Sequence, residues 1–123
     1  MLGNVLVVRL GCRYHVISHP AMKHRVGTRG GVMILVDKQF TVQPLTLTQS
    51  TTNMWTAIIV RMKGTDIIIA TAYLPPDDNQ TNLKTMQELA HMVGQAQCPF
   101  MIGGDYNTPP EGLEQYHWDG FIN

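Results

Sequence analysis

Apolar residues in this chain come in short bursts: the longest uninterrupted run, Val32 to Val36, is five residues, the length of one strand. A bilayer-spanning helix needs about 18 or more, so no segment here can serve as one. Around that run the pattern is of β-branched and aromatic stretches cut by Gly, Pro, Asn and Asp, the signature of strands and turns. Tyr14–Ile17, Val32–Val36, Met54–Met62, Ile67–Tyr73 and Pro99–Ile102 read as strands, as does Val5–Leu10. In Met54–Met62, Trp55, Ala57 and Ile59 fall on one face and Ile58 and Val60 on the other. Phe40–Thr48 contains Pro44, which cannot donate to a ladder and so marks an edge or bulged strand. Lys63-Gly64-Thr65-Asp66 reads as a hairpin loop, and Pro75-Pro76 stops the strand before it.

One segment breaks the strand period. Leu83, Met86, Leu89, Ala90 and Val93 recur at helical spacing, which predicts a helix over Asn82–Val93, capped by Thr81 or Asn82 and ended by Gly94. A helix between two strands is a crossover between parallel neighbours, whereas a tight hairpin joins antiparallel ones. The expected class is α+β: a mostly antiparallel sheet with one helix packed on it. Ser18–Gly31, which holds Lys23, His24, Arg25 and Arg29, reads as a basic loop. Glu111–Tyr116 reads as a single helical turn. A chain of 123 residues is one small domain, and 44% apolar residues can build its core.

Charge narrows the chemistry. Nine Lys and Arg balance nine Asp and Glu, so no overall field draws this chain to nucleic acid or to a membrane. A polyanionic substrate would have to be held by a local site or a metal. The two cysteines, Cys12 and Cys98, are too few for a disulfide framework and read as reduced thiols. The first residues lack a signal-peptide pattern, so the expected setting is intracellular. His15, His19, His24, His91 and His117 are scattered without metal-ligand spacing. Trp55 reads as core, and Gly27–Gly31 lacks the lysine and following helix of a nucleotide-binding loop.

Two strand ends can carry chemistry. Gly103-Gly104-Asp105-Tyr106-Asn107 follows an apolar strand and reads as a loop. Its glycines would let a ligand approach Asp105 closely. Asp105 and Asn107, two apart, could offer a carboxylate and an amide oxygen to a hard cation or a water. The same residue types also make ordinary turns. Tyr73-Leu74-Pro75-Pro76 ends another strand, where the Tyr73 hydroxyl could reach a phosphate or simply be buried.

Arg29–Val36 (RGGVMILV), Ile67–Pro76 (IIIATAYLPP) and Pro99–Glu111 (PFMIGGDYNTPPE) stand in an order and spacing that resembles the endonuclease/exonuclease/phosphatase superfamily, the DNase I-like fold. Their wording is most similar to endonuclease domains of the retroelement type. The resemblance spans roughly Gly11 to Leu113. It implies a four-layer α/β/β/α sandwich and hydrolysis of phosphodiester or phosphomonoester bonds with Mg²⁺, or Mn²⁺ in its place. It implies that Asp105 orients or deprotonates the attacking water. Asn107 would hold the phosphate, the metal or that aspartate, and Tyr73 would lie near the scissile phosphate. Apart from the resemblance, the basic residues Lys23, His24, Arg25 and Arg29 could touch substrate phosphates or simply be solvated. An early metal-binding glutamate and a late Asp-His pair of the family have no counterpart: no Glu precedes Glu88, and His117 and Asp119 lie too near the Asp105 segment. Pro76 stands where the family often has an Asn. The expectation is therefore an internal piece of the domain. Its exposed sheet could pair two copies, and its substrate is a nucleic acid or an inositol or lipid phosphate. The alternative to an enzyme is an inactive remnant or binding domain.

Overall fold

The computed structural model describes residues 13–19, 22–24, 27–29, 31–45 and 50–107, the two three-residue segments by backbone alone. In chain order these form β1 (Tyr14–His19), β2 (Met22–His24), β3 (Gly27–Arg29), β4 (Val32–Asp37), β5 (Thr41–Pro44), β6 (Trp55–Met62), β7 (Thr65–Tyr73), helix α1 (Asn79–Ala96) and β8 (Phe100–Asp105). The expected strand at Val5–Leu10 and the turn at Glu111–Tyr116 lie outside the described residues, as does Cys12.

The largest sheet has the order β5-β6-β7-β8. Its first two pairings are antiparallel and its last, β7 with β8, is parallel, as the helix between them requires. The β6–β7 connection is tighter than the four-residue loop expected. Met62 opposes Thr65, so Lys63 and Gly64 alone make the turn. Both have positive φ, 52° and 79°, the geometry that matches strand twist in two-residue hairpins. β5 is the edge strand that Pro44 foretold.

Alternation along β6 and β7 sends side chains into two separate cores. On one face Trp55, Ile68, Ala70, Ala72 and Leu74 pack under Met86, Leu89, Met92 and Val93 of α1. On the other, Ile58 and Val60 meet Ile34 of β4, with Ile17, Val36, Phe40, Val42 and Ile69 around them. β4 pairs antiparallel with β1 in a second sheet. The described residues thus form three consecutive layers, helix on sheet on sheet, part of the expected four-layer α+β sandwich.

Two further segments differ from the sequence expectation. The segment read as a basic loop contains a small antiparallel hairpin, β2 with β3, in which Met22 opposes Arg29. The helix begins three residues early: the Asp78 carboxylate, not Thr81 or Asn82, caps it by accepting from the Thr81 N–H at 3.1 Å. It also runs through Gly94 to Ala96, and Gln97 closes it in the left-handed conformation with its N–H on the Val93 carbonyl. Leu83 is exposed on this helix, while Asn82 and Thr85 are buried. Asn82 turns its amide to the Pro75 carbonyl at 2.9 Å and Thr85 bonds Thr52, so hydrogen bonds outweigh the apolar count in orienting the first turns. Cys98 is a free, half-buried thiol.

Candidate active site

Strand β8 extends to Asp105, three residues beyond Ile102, so Gly103 and Gly104 are strand residues and not the loop expected of them. They are not equivalent. A Cβ on Gly103 would meet nothing within 4 Å, whereas on Gly104 it would lie 1.9 Å from the Ala72 carbonyl oxygen. Gly104 also has φ +146°. Only glycine lets β8 come this close to β7 there, and that approach carries Asp105 level with Tyr73.

Tyr73 and Asp105 are register partners at the last position of the two parallel strands. The pairing continues one step further, with the Leu74 N–H donating to the Asp105 carbonyl at 2.9 Å. The chain then turns at Asn107, which has φ 49°. Its N–H donates to the Asp105 carboxylate (Oδ1, 3.2 Å), and its side-chain amide donates to the Leu74 carbonyl at 3.0 Å. Asn107 therefore staples both strand ends while fixing one oxygen of the carboxylate. Asp105 and Asn107 are exposed and Tyr73 is half-buried. Between them, Tyr106 turns inward against the helix-side core, its hydroxyl on the Ile102 carbonyl at 2.9 Å. Burial pushes its pKa above the usual tyrosine value.

The structure thus brings together three of the residues singled out in the sequence, Tyr73, Asp105 and Asn107. Their backbone partner, the Leu74 carbonyl, carries no sequence signal, because hydrogen bonds to carbonyls do not depend on residue type. Arg29 is placed only by its backbone, as the last residue of β3. The β2–β3 hairpin lies between His19 and Val32, which oppose each other at one end of the second sheet. A cleft of about 320 Å³ opens there between His19 of β1 and Thr56 at the start of β6, and β6 begins beside the end of β7.

The oxygens at this site suit a hard cation in kind. In number they form no cage: among the described residues no three His, Cys, Asp or Glu side chains gather to hold a metal. A divalent cation bound here would take one carboxylate and draw its other ligands from outside these side chains.

No family model matches the chain, and no curated protein matches its sequence. Solved structures do match its fold. The endonuclease domain of TRAS1, a telomere-specific non-LTR retrotransposon, superposes with TM-score 0.50 and 17% identity over 78% of this chain and 43% of its own. Truncated TDP2 of Caenorhabditis elegans gives TM-score 0.52 and 17% identity over 87% of this chain and 46% of its own. D. rerio TDP2 humanized by 14 mutations gives 0.53 and 14% over 91% and 47%. This chain spans less than half the length of each.

Proposed function

We propose, from the premise that this chain has part of the DNase I-like fold of the endonuclease/exonuclease/phosphatase superfamily, that it is the strand-end portion of a phosphodiesterase site acting on nucleic acid. The observation that carries this reading is the pairing of Tyr73 with Asp105 at the ends of two parallel strands, stapled by Asn107. Open α/β sheets bind ligands outside the carboxyl ends of parallel strands, and the only parallel pair among the described residues ends here.

The residues supply a hydrolytic step. An attacking water lies against the Asp105 carboxylate, which orients it and takes its proton as the new P–O bond forms. The opposite ester bond breaks and its oxygen leaves, protonated from solvent. The Tyr73 hydroxyl donates to a non-bridging phosphate oxygen and holds the phosphorus in line. Asn107 keeps the carboxylate from rotating away, since one of its oxygens is already committed to the Asn107 N–H. Asp105 would be the residue to hold Mg²⁺, or Mn²⁺ in its place, and such an ion would supply positive charge to offset that developing on the phosphate. The Arg29 side chain would add local positive charge to a chain that is neutral overall.

Nucleic acid is favoured over inositol or lipid phosphate because one similar structure is named an endonuclease domain. The test is a panel of labelled DNA, labelled RNA and inositol phosphates, incubated with the chain and Mg²⁺ or Mn²⁺. Cleavage of a polynucleotide supports the proposal. Phosphate release from inositol phosphates alone would transfer the activity to the other substrate class. No hydrolysis by a folded chain would leave a binding or remnant domain.

A further inference from the structure

We infer that Glu88, on α1, is a positioning residue for Tyr73, a role that rests on the proposed place of Tyr73 at the phosphate. The Glu88 carboxylate accepts from three donors at once: the Thr51 N–H at 3.3 Å, the Thr51 hydroxyl, and the indole N–H of Trp55 at 2.9 Å. Hydrogen bonds to an ionised acceptor are about twice as strong as neutral ones. One turn earlier on the helix, Thr85 bonds the Thr52 hydroxyl at 2.9 Å, and that hydroxyl accepts from the Met54 N–H at 3.3 Å. The segment entering β6 is thereby fastened to the helix from Thr51 to Trp55.

That segment abuts the proposed site. The Met54 carbonyl accepts the N–H of Tyr73 at 2.7 Å, and Trp55 opposes Ala72 in the sheet. Met54 and Trp55 are buried, so their backbone cannot drift without moving the packed layer. The chain of contacts runs from the Glu88 carboxylate through Thr51 and Trp55 to the Met54 carbonyl, and from there to the backbone of Tyr73. Asn107 fixes the β8 side of the site, and Glu88 fixes the β6 side. A displacement of about 1 Å at a reacting group costs on the order of a hundredfold in rate, so a helix residue that touches no substrate can govern turnover.

Amide hydrogen exchange tests this link without needing activity. The Tyr73 amide reports the site's end of β7. The Ile68 amide, bonded to the Pro99 carbonyl at 2.9 Å, reports the far part of the same strand. In Glu88→Ala, Tyr73 should exchange about tenfold faster or more, because the segment loses several hydrogen bonds to a charged acceptor, while Ile68 keeps its protection. Glu88→Gln should recover part of the loss, since one oxygen still accepts. Trp55→Phe, which removes only the indole donor, should speed Tyr73 exchange by a smaller factor and stands in if Glu88→Ala does not fold. Where the chain hydrolyses phosphoesters, Glu88→Ala should lower kcat with KM little changed. Unchanged Tyr73 exchange in these variants would overturn the inference, as would equal loss at Tyr73 and Ile68, which marks general loosening. A wild-type chain that hydrolyses nothing refutes the proposed function instead, and leaves the exchange comparison to decide this one.

Discussion

Tyr73 and Asp105 occupy the same register step on β7 and β8, and the Leu74 N–H closes the pair by donating to the Asp105 carbonyl at 2.9 Å. In the proposed mechanism the phenol acts on a phosphate oxygen and the carboxylate on the incoming water. Tyr73→Phe removes the donor and should lower phosphodiester cleavage about tenfold or more, while Asp105→Asn should lower it about a hundredfold or more. Because both act on one transition state, the double variant should fall less than the product of the two. Single-turnover rates of the four proteins measure this, and strictly multiplicative effects would separate the two residues.

The two glycines of β8 should respond unequally to the same change. Gly104→Ala places a methyl group 1.9 Å from the Ala72 carbonyl, a backbone atom that cannot swing aside. It should destabilise the fold by about 3 kcal/mol or more, the range of severe steric changes. Gly103→Ala meets nothing within 4 Å and should stay within about 1 kcal/mol of the parent. Urea unfolding of both variants distinguishes them, and equal stability would contradict the close approach of β8 to β7.

Helix α1 depends on a cap four residues from Leu74. Asp78→Ala removes the acceptor for the Thr81 N–H and should cost about 1 kcal/mol, whereas Asp78→Asn keeps an acceptor and should cost only a few tenths. Thermal melts of the two variants test it. A larger loss in Asp78→Asn than in Asp78→Ala would place the Asp78 charge elsewhere.

Stability should decline in alkali through Tyr106. Burial raises its pKa in the fold above the unfolded value near 10. Between the two values the unfolded chain has lost the proton and the folded chain has kept it. The unfolded state then binds fewer protons, and stability falls as pH rises through that window. Below pH 10 both states are protonated and the group has no pH-dependent effect. Tyr106→Phe should flatten this alkaline slope, although it also loses the bond to the Ile102 carbonyl. Unfolding curves between pH 8 and 11, with tyrosinate absorbance followed in parallel, give the comparison.

Much of this architecture was legible in local pattern. The alternation of Trp55, Ala57 and Ile59 against Ile58 and Val60 marked a strand with apolar residues on both faces, and the structure packs those faces into two separate cores. The helical spacing between two strands marked the parallel crossover. Local pattern failed where a long-range partner decides. Gly103-Gly104 resembles a loop, and only its pairing with Thr71 and Ala72 of β7 makes it a strand. Leu83 counted as a core residue, yet Asn82 and Thr85 take the buried positions because Pro75 and Thr52 bond them. The Ser18–Gly31 stretch is polar enough to pass for a loop, and its three-residue strands are too short to show a period. At the site, Tyr73, Asp105 and Asn107 were visible as residue types at strand ends. The Leu74 carbonyl and the Glu88 clasp were not, since each lies more than thirty positions from the residue it holds.

The central claim is that the Asp105 carboxylate at the end of β8 activates water against a phosphodiester. The most direct measurement is metal-dependent cleavage of end-labelled DNA and RNA by the 123-residue chain beside its Asp105→Ala variant, with folding of both checked by circular dichroism. Cleavage should need Mg²⁺ or Mn²⁺ and fall about a hundredfold or more in the variant. Cleavage equal in the two proteins, or none from a folded parent chain, would contradict it.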